Sequence, residues 1–231
     1  MMIKTVIFDL DGTLYDFNSA HAVAFDSLCG FADDRLRIPP EQFRKLHAEA
    51  NRIMAKRCGG SPAVHNRLLR YQVILELAGM SISDAPEMAD CYWHTLLDHM
   101  EPEPGIEQAM KDLRSMGLLI GVGTNMTADW QYAKLSRLSL FPLVDYLVTS
   151  EEANSEKPDR GLFDLCAEKA GAAPEECVFV GDNLHGDAVG AFAAGMRGIW
   201  YQPLYAGEPL PEGVQVIRSM AELPPLLAPN L

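Results

Sequence analysis

The chain has 231 residues, enough to bury a substantial core, and a formal net charge of -13 with no basic run longer than Lys56-Arg57. That balance excludes a nucleic-acid polymer or an anionic membrane surface as the main partner, so any anionic ligand has to be drawn by local features. The cysteines at Cys29, Cys58, Cys91, Cys166 and Cys177 are odd in number, widely spaced and without a C-x-x-C, which excludes a disulfide framework and a zinc site. No stretch has the form of a signal peptide or the length of a membrane span, and the expected compartment is the cytoplasm.

The first element is an apolar run, IKTVIF, which reads as a buried strand and stops at Asp9-Leu10-Asp11-Gly12-Thr13. If the strand extends this far, alternation puts the Asp9 and Asp11 carboxyl groups on one side. Like charges that close call for a divalent cation, a raised pKa, or both. From 17 to 100 only helical periodicity follows, over 22–29, 40–57, 63–78 and 84–99, with turn residues at Gly59-Gly60-Ser61-Pro62. Glu101-Pro102-Glu103-Pro104-Gly105 ends that pattern. Helix and strand then alternate: a helix over 104–116, the strand LLIGVG, a helix over 127–139, the strand DYLVT, a helix opened by Lys157-Pro158, the strand CVFVG, a helix from Asp187, and the strands RGIWY and VQVI. The expectation is an α/β fold: a Rossmann-like, mostly parallel sheet with helices on both faces, built from 1–16 and 101–231 and interrupted by an all-helical domain over 17–100. An insertion that begins so soon after the aspartate pair is expected to work as a lid that excludes water and selects substrate.

Three further strand ends carry polar residues. Thr124-Asn125 offers a hydroxyl and an amide beside a helix start, Lys157 precedes Pro158 at another, and Asp182 and Asp187 follow CVFVG. Oxygen ligands without a His or Cys cluster favour Mg²⁺ shared with a phosphate. A carboxylate is a ready nucleophile, so aspartyl-phosphate chemistry is available. A second carboxyl group would protonate the leaving oxygen, and burial beside a like charge would raise its pKa for that role.

In order, Asp9-Leu10-Asp11-Gly12-Thr13, Thr124-Asn125, Lys157-Pro158-Asp159 and Gly181-Asp182 with Asp187 resemble the motifs of the haloacid dehalogenase-like hydrolase superfamily over essentially the whole chain. The insertion after the first motif looks like the helical cap of its phosphoglycolate phosphatase-like subfamily. The resemblance implies Asp9 as nucleophile, Asp11 as general acid/base, and Thr124, Asn125 and Lys157 as phosphate-binding residues. It implies a Mg²⁺ site at Asp9, Asp11 (through its main-chain carbonyl), Asp182 and Asp187. Gly186 and Arg160 depart from the usual pattern at positions without a catalytic role. Tyr15, Arg57 and Arg67 are the candidates for substrate choice, with Phe17, the Gly59-Gly60 turn and His65 beside them.

The function so implied is a Mg²⁺-dependent phosphatase acting on a small phosphorylated metabolite. The alternatives are a phosphomutase, a 2-haloacid dehalogenase on the same scaffold, or a catalytically silent binding protein. Asp11 argues against dehalogenation, because a halide leaves without a proton.

Overall fold

The computed structural model describes residues 2–228. The chain begins with β1 (Thr5–Phe8), followed by helices α1 (Phe17–Leu36), α2 (Pro40–Cys58), α3 (Arg67–Leu77) and α4 (Ala85–Asp98). It continues as α5 (Ile106–Ser115), β2 (Leu119–Thr124), α6 (Ala128–Arg137), β3 (Tyr146–Thr149), α7 (Ser150–Ala153), α8 (Arg160–Ala170), β4 (Cys177–Gly181), α9 (Gly190–Ala193), β5 (Arg197–Tyr201), β6 (Val214–Ile217) and α10 (Leu223–Leu227). Two compact units result, one from the segments ending at Asp16 and starting at Glu101, the other Phe17–Met100.

The first unit is a six-stranded sheet in the order β3-β2-β1-β4-β5-β6 with every pair parallel. β1 and β4 are buried along their whole length, as apolar runs in a sheet covered on both faces must be. Connections from β1 run outward through β2 to β3, while those from β4 run the other way to β5 and β6. Right-handed crossovers therefore lay α5 and α6 on one face and α8 and α9 on the other. Ile7, Val148, Leu162, Phe163, Cys166 and Phe179 form the apolar core under α8, with the Phe163 and Phe179 rings edge to face at 5.0 Å. The point between β1 and β4 where the crossovers diverge is where a doubly wound sheet opens a crevice at its strand ends.

The second unit is helical. α1 packs on α4, α2 on α3 and α3 on α4, around buried Leu28, Phe43, Tyr71, Tyr92 and Trp93.

Several boundaries differ from the sequence reading. α1 starts at Phe17 rather than at residue 22. The periodic stretch over 63–78 is broken at Asn66, whose side-chain oxygen caps α3 by accepting from the Leu69 amide at 3.1 Å. The helix expected at Lys157-Pro158 begins at Arg160, after a cis Lys157–Pro158 peptide. The helix expected from Asp187 is a π-turn over Leu184–Val189 that runs into α9. Its cap is Asn183, whose side chain accepts from the Gly186 amide at 2.9 Å, so Asp187 lies inside the turn.

Candidate active site

β1 stops at Phe8, one residue before Asp9, and this decides the geometry of the aspartate pair. The Asp9 amide still bonds to the Val180 carbonyl at 2.8 Å, but beyond it the chain turns through Gly12 at φ +88°. A Cβ at Gly12 would lie 2.4 Å from Asp182 Oδ2, so only glycine suits this turn. The alternation that would have crowded the two carboxyl groups is lost. Each faces its own lysine instead.

Asp9 is buried against Lys157, whose Nζ donates to Asp9 Oδ1 at 2.5 Å, to Asp187 Oδ1 at 2.7 Å and to the Gly123 carbonyl at 3.0 Å. The second Asp187 oxygen accepts from the Asn183 amide at 2.9 Å. A Cβ on Gly181 would lie 2.2 Å from Asp187, so the glycine at the end of β4 makes room for that carboxylate. Asp182 is held by Thr13, its amide donating to the hydroxyl at 3.0 Å, and by the Trp200 indole, which donates to its carbonyl at 2.8 Å.

Burial pushes the Asp9 carboxyl up to about 8 against the pull of Lys157, with Asp187 and Asp182 adding to the rise. Asp182 is pushed up to about 6, by partial desolvation and then by Asp187. Burial disfavours the Lys157 charge, yet Asp187 and Asp9 outweigh it and hold the ammonium above the ordinary lysine value. Asp9 and Asp187 thus share one ammonium, with the Asp182 carboxylate close by. Asp9, Asp182 and Asp187 each offer an oxygen within 4.8 Å of the others, an all-oxygen set whose surplus negative charge suits a hard divalent cation.

Asp11 stands apart from that cluster. Its Oδ1 accepts from Lys134 Nζ at 2.6 Å and from the Tyr15 hydroxyl, and its Oδ2 from Lys134 at 2.8 Å and Gln131 Nε2 at 3.2 Å. Burial alone would raise Asp11, but Lys134 and the Tyr15 and Gln131 donors hold it below the ordinary carboxylate value. The sequence reading expected the acid/base carboxyl to be the raised one. Asp9 is raised instead, because the buried lysine beside Asp11 comes from α6.

Thr124 is buried at the end of β2, its Oγ1 accepting from Gln131 Nε2 at 2.7 Å. Asn125, expected to contact phosphate, engages the Lys157 main chain through its side chain. Its Oδ1 accepts from the Lys157 amide at 2.8 Å and its Nδ2 donates to the Lys157 carbonyl at 3.1 Å, so both ends of the side chain fix the lysine's main chain.

Gln131 and Lys134 were missed in the sequence. The available signal was their i, i+3 spacing on a face of α6 whose third buried member is Leu135. Tyr15, a candidate for substrate choice, donates its hydroxyl to Asp11.

The two other candidates lie in the helical unit. Arg57 is exposed near the end of α2. Arg67 opens α3, with its guanidinium 4.9 Å from the Tyr92 ring centroid and donating to the Tyr92 hydroxyl at 3.3 Å. His21 Nδ1 meets the same hydroxyl at 2.7 Å. Burial, then the Arg67 charge, lower both His21 and His47, the latter to about 4.

A family model for haloacid dehalogenase-like hydrolases matches residues 3–195. The chain is 33% identical over 210 residues to a ribulose-1,5-bisphosphate 5-phosphatase of Halopiger xanaduensis, covering 87% of this chain and 86% of that protein. It is 31% identical to a glyceraldehyde 3-phosphate phosphatase of Methanopyrus kandleri, covering 84% and 82%. Among solved structures, a 2-haloacid dehalogenase from Pseudomonas syringae pv. Tomato is similar with a TM-score of 0.75 and 27% identity, over 98% of each chain.

Proposed function

Because the chain belongs to the haloacid dehalogenase-like hydrolases, as one of their phosphatases, we propose that it hydrolyses a small phosphorylated metabolite through an aspartyl-phosphate on Asp9. The observation that carries this reading is the separation of two carboxylates into two lysine-held sites. Asp9 lies with Lys157, Asp182 and Asp187, where phosphorus is attacked, and Asp11 lies outside that cluster on Lys134, as the carboxyl group for the leaving oxygen.

Asp9 attacks phosphorus while the Lys157 ammonium and the Thr124 hydroxyl take the charge spread over the equatorial oxygens. Gln131 fills an acceptor position on Thr124, leaving the hydroxyl hydrogen for the phosphoryl group. The arriving phosphate anion favours the protonated form of Asp11, which gives its proton to the leaving alkoxide and then takes one from the water that cleaves the acyl-phosphate. Asp9, Asp182 and Asp187, with the main-chain carbonyl of Asp11, would hold Mg²⁺. When bound, that ion supplies positive charge that lowers Asp9 into its ionised, nucleophilic form and neutralises the phosphoryl oxygens. We assign substrate choice to the helical unit, with Arg67 and its aromatic neighbours as the group to vary. No helix among the described residues is long and apolar enough to cross a membrane.

The test is hydrolysis of para-nitrophenyl phosphate with added Mg²⁺, which Asp9→Asn is expected to abolish. Turnover that survives this change would sink the mechanism. The likeness to a 2-haloacid dehalogenase keeps a second reading in view, and chloride release from a 2-chloroacid would support it. The presence of a second carboxyl group at Asp11 weighs against it, since carbon-halogen cleavage has no proton to deliver.

A further inference from the structure

We propose that Lys134 and Gln131 are positioning residues for the proton-transfer step, fixing the Asp11 carboxylate in place and tying it to the phosphate-binding hydroxyl of Thr124. The inference rests on the phosphatase reading and concerns residues outside the four motifs. Three observations on α6 carry it.

The first is burial. Gln131 is 0% and Lys134 1% exposed, on a short helix whose remaining buried side chain is Leu135. An ion pair at such a place is weak support for stability, since apolar side chains of similar volume commonly do as well or better. Stability therefore gives little reason for a lysine and a glutamine here.

The second is the complete occupation of Asp11. Both oxygens accept twice, from Lys134 and Tyr15 on one and Lys134 and Gln131 on the other. A carboxylate held at both oxygens from two sides has one orientation. Tyr15 is in turn fixed by bridges of its main chain to Asp11 and Pro102.

The third is the Gln131 amide. Its Nε2 serves Thr124 Oγ1 at 2.7 Å and Asp11 Oδ2 at 3.2 Å, while its Oε1 is buried without a hydrogen-bond partner among the described residues. Turning the amide over would set Oε1 against the Asp11 carboxylate, so Asp11 dictates this orientation at the expense of an unmet acceptor. A buried group bonded both to the acid/base and to the phosphate hydroxyl marks a link between the two. Displacing α6 side chains would then misplace the proton donor relative to the bound phosphate.

The experiment compares para-nitrophenyl phosphate with phenyl phosphate, two substrates of similar shape whose leaving groups differ in their need for a proton. kcat and thermal midpoint are measured for wild type, Lys134→Met, Gln131→Leu and Asp11→Asn with Mg²⁺ present. If α6 positions the acid, Lys134→Met and Gln131→Leu lower kcat for phenyl phosphate by at least about tenfold more than for para-nitrophenyl phosphate. Gln131→Leu removes both Nε2 donations together with the buried Oε1, and the thermal midpoint read alongside separates a folding loss, which lowers both substrates equally, from the selective effect. Lys134→Arg, which retains the charge, recovers part of the lost phenyl phosphate turnover. An equal fall for both substrates, or no fall, overturns the inference while a selective effect of Asp11→Asn leaves the phosphatase reading standing. Unchanged turnover of both substrates in Asp11→Asn overturns that reading, and this inference with it.

Discussion

Lys157→Met is the most informative single change, because among the described residues the lysine is the cation that Asp9 and Asp187 share. The substitution removes contacts at 2.5 Å and 2.7 Å and leaves two buried carboxylates facing each other, with Asp182 close by. Breaking a buried pair by deleting one partner costs about 3–5 kcal/mol. In a chain of this length each kcal/mol moves the thermal midpoint by about 2–4 °C, so the metal-free variant should melt about 6–20 °C lower. The loss should depend on pH. Asp9 has a folded value of about 8 against an ordinary 3.8, so between those limits the folded chain holds a proton that the unfolded chain lacks. Stability from this group is therefore present below that window and falls as pH rises through it. Lys157 pulls Asp9 down, so its removal extends the window upward. The deficit of the variant should accordingly be larger near about pH 9 than near about pH 5.5, where a proton on Asp9 relieves the repulsion. Thermal unfolding in chelator at the two pH values, followed by circular dichroism, measures it. The same drop at both, or none at either, would refute the shared-cation argument.

Two further substitutions probe other levels of the structure. Gly12→Ala forces an L-residue to φ +88° and sets its Cβ 2.4 Å from Asp182 Oδ2. The conformational strain alone is about 1–2 kcal/mol. The displaced carboxylate should raise the Mg²⁺ concentration for half-maximal turnover, and an unchanged requirement would count against Asp182 as a ligand. Asn66→Ala removes the cap of α3 and should cost about 1 kcal/mol. Urea unfolding followed by helical circular dichroism reads this as a lower midpoint, and an unshifted midpoint would mean that the bond to the Leu69 amide contributes nothing.

The strand CVFVG was legible because a parallel sheet buries both faces of its central strands and so demands uninterrupted apolar runs there. Asp9 and Thr124 were legible because each lies at or just beyond the carboxyl end of such a run, and Lys157, well past the end of β3, because it precedes Pro158 ahead of a helix. What the sequence hid had local causes. β1 ends one residue before Asp9, and that single residue separates two carboxyl groups that alternation would have paired. The lysine that lowers Asp11 lies 123 residues away on a helix interior, where Gln131 and Lys134 look like the polar side chains of any amphipathic helix. Asn125 sits beside Thr124, yet its contact is the Lys157 main chain 32 residues on. Distances of that kind are made by topology, through crossovers that bring β1, β2 and β4 side by side.

The junctions of the inserted segment carry a consequence for how such a chain can change. Tyr15 bridges Pro102, and the Glu103 amide bonds to the Leu14 carbonyl at 2.8 Å, so the strand leaving the sheet and the strand returning to it are stitched together on the core's own side. To the sheet, everything between these stitches is one closed loop. Loop-closure entropy grows only by about 0.6 kcal/mol for each doubling of length. Lengthening, shortening or exchanging the inserted helices is therefore nearly neutral for the stability of the sheet. The aspartates can stay where they are while the segment between the stitches is rewritten.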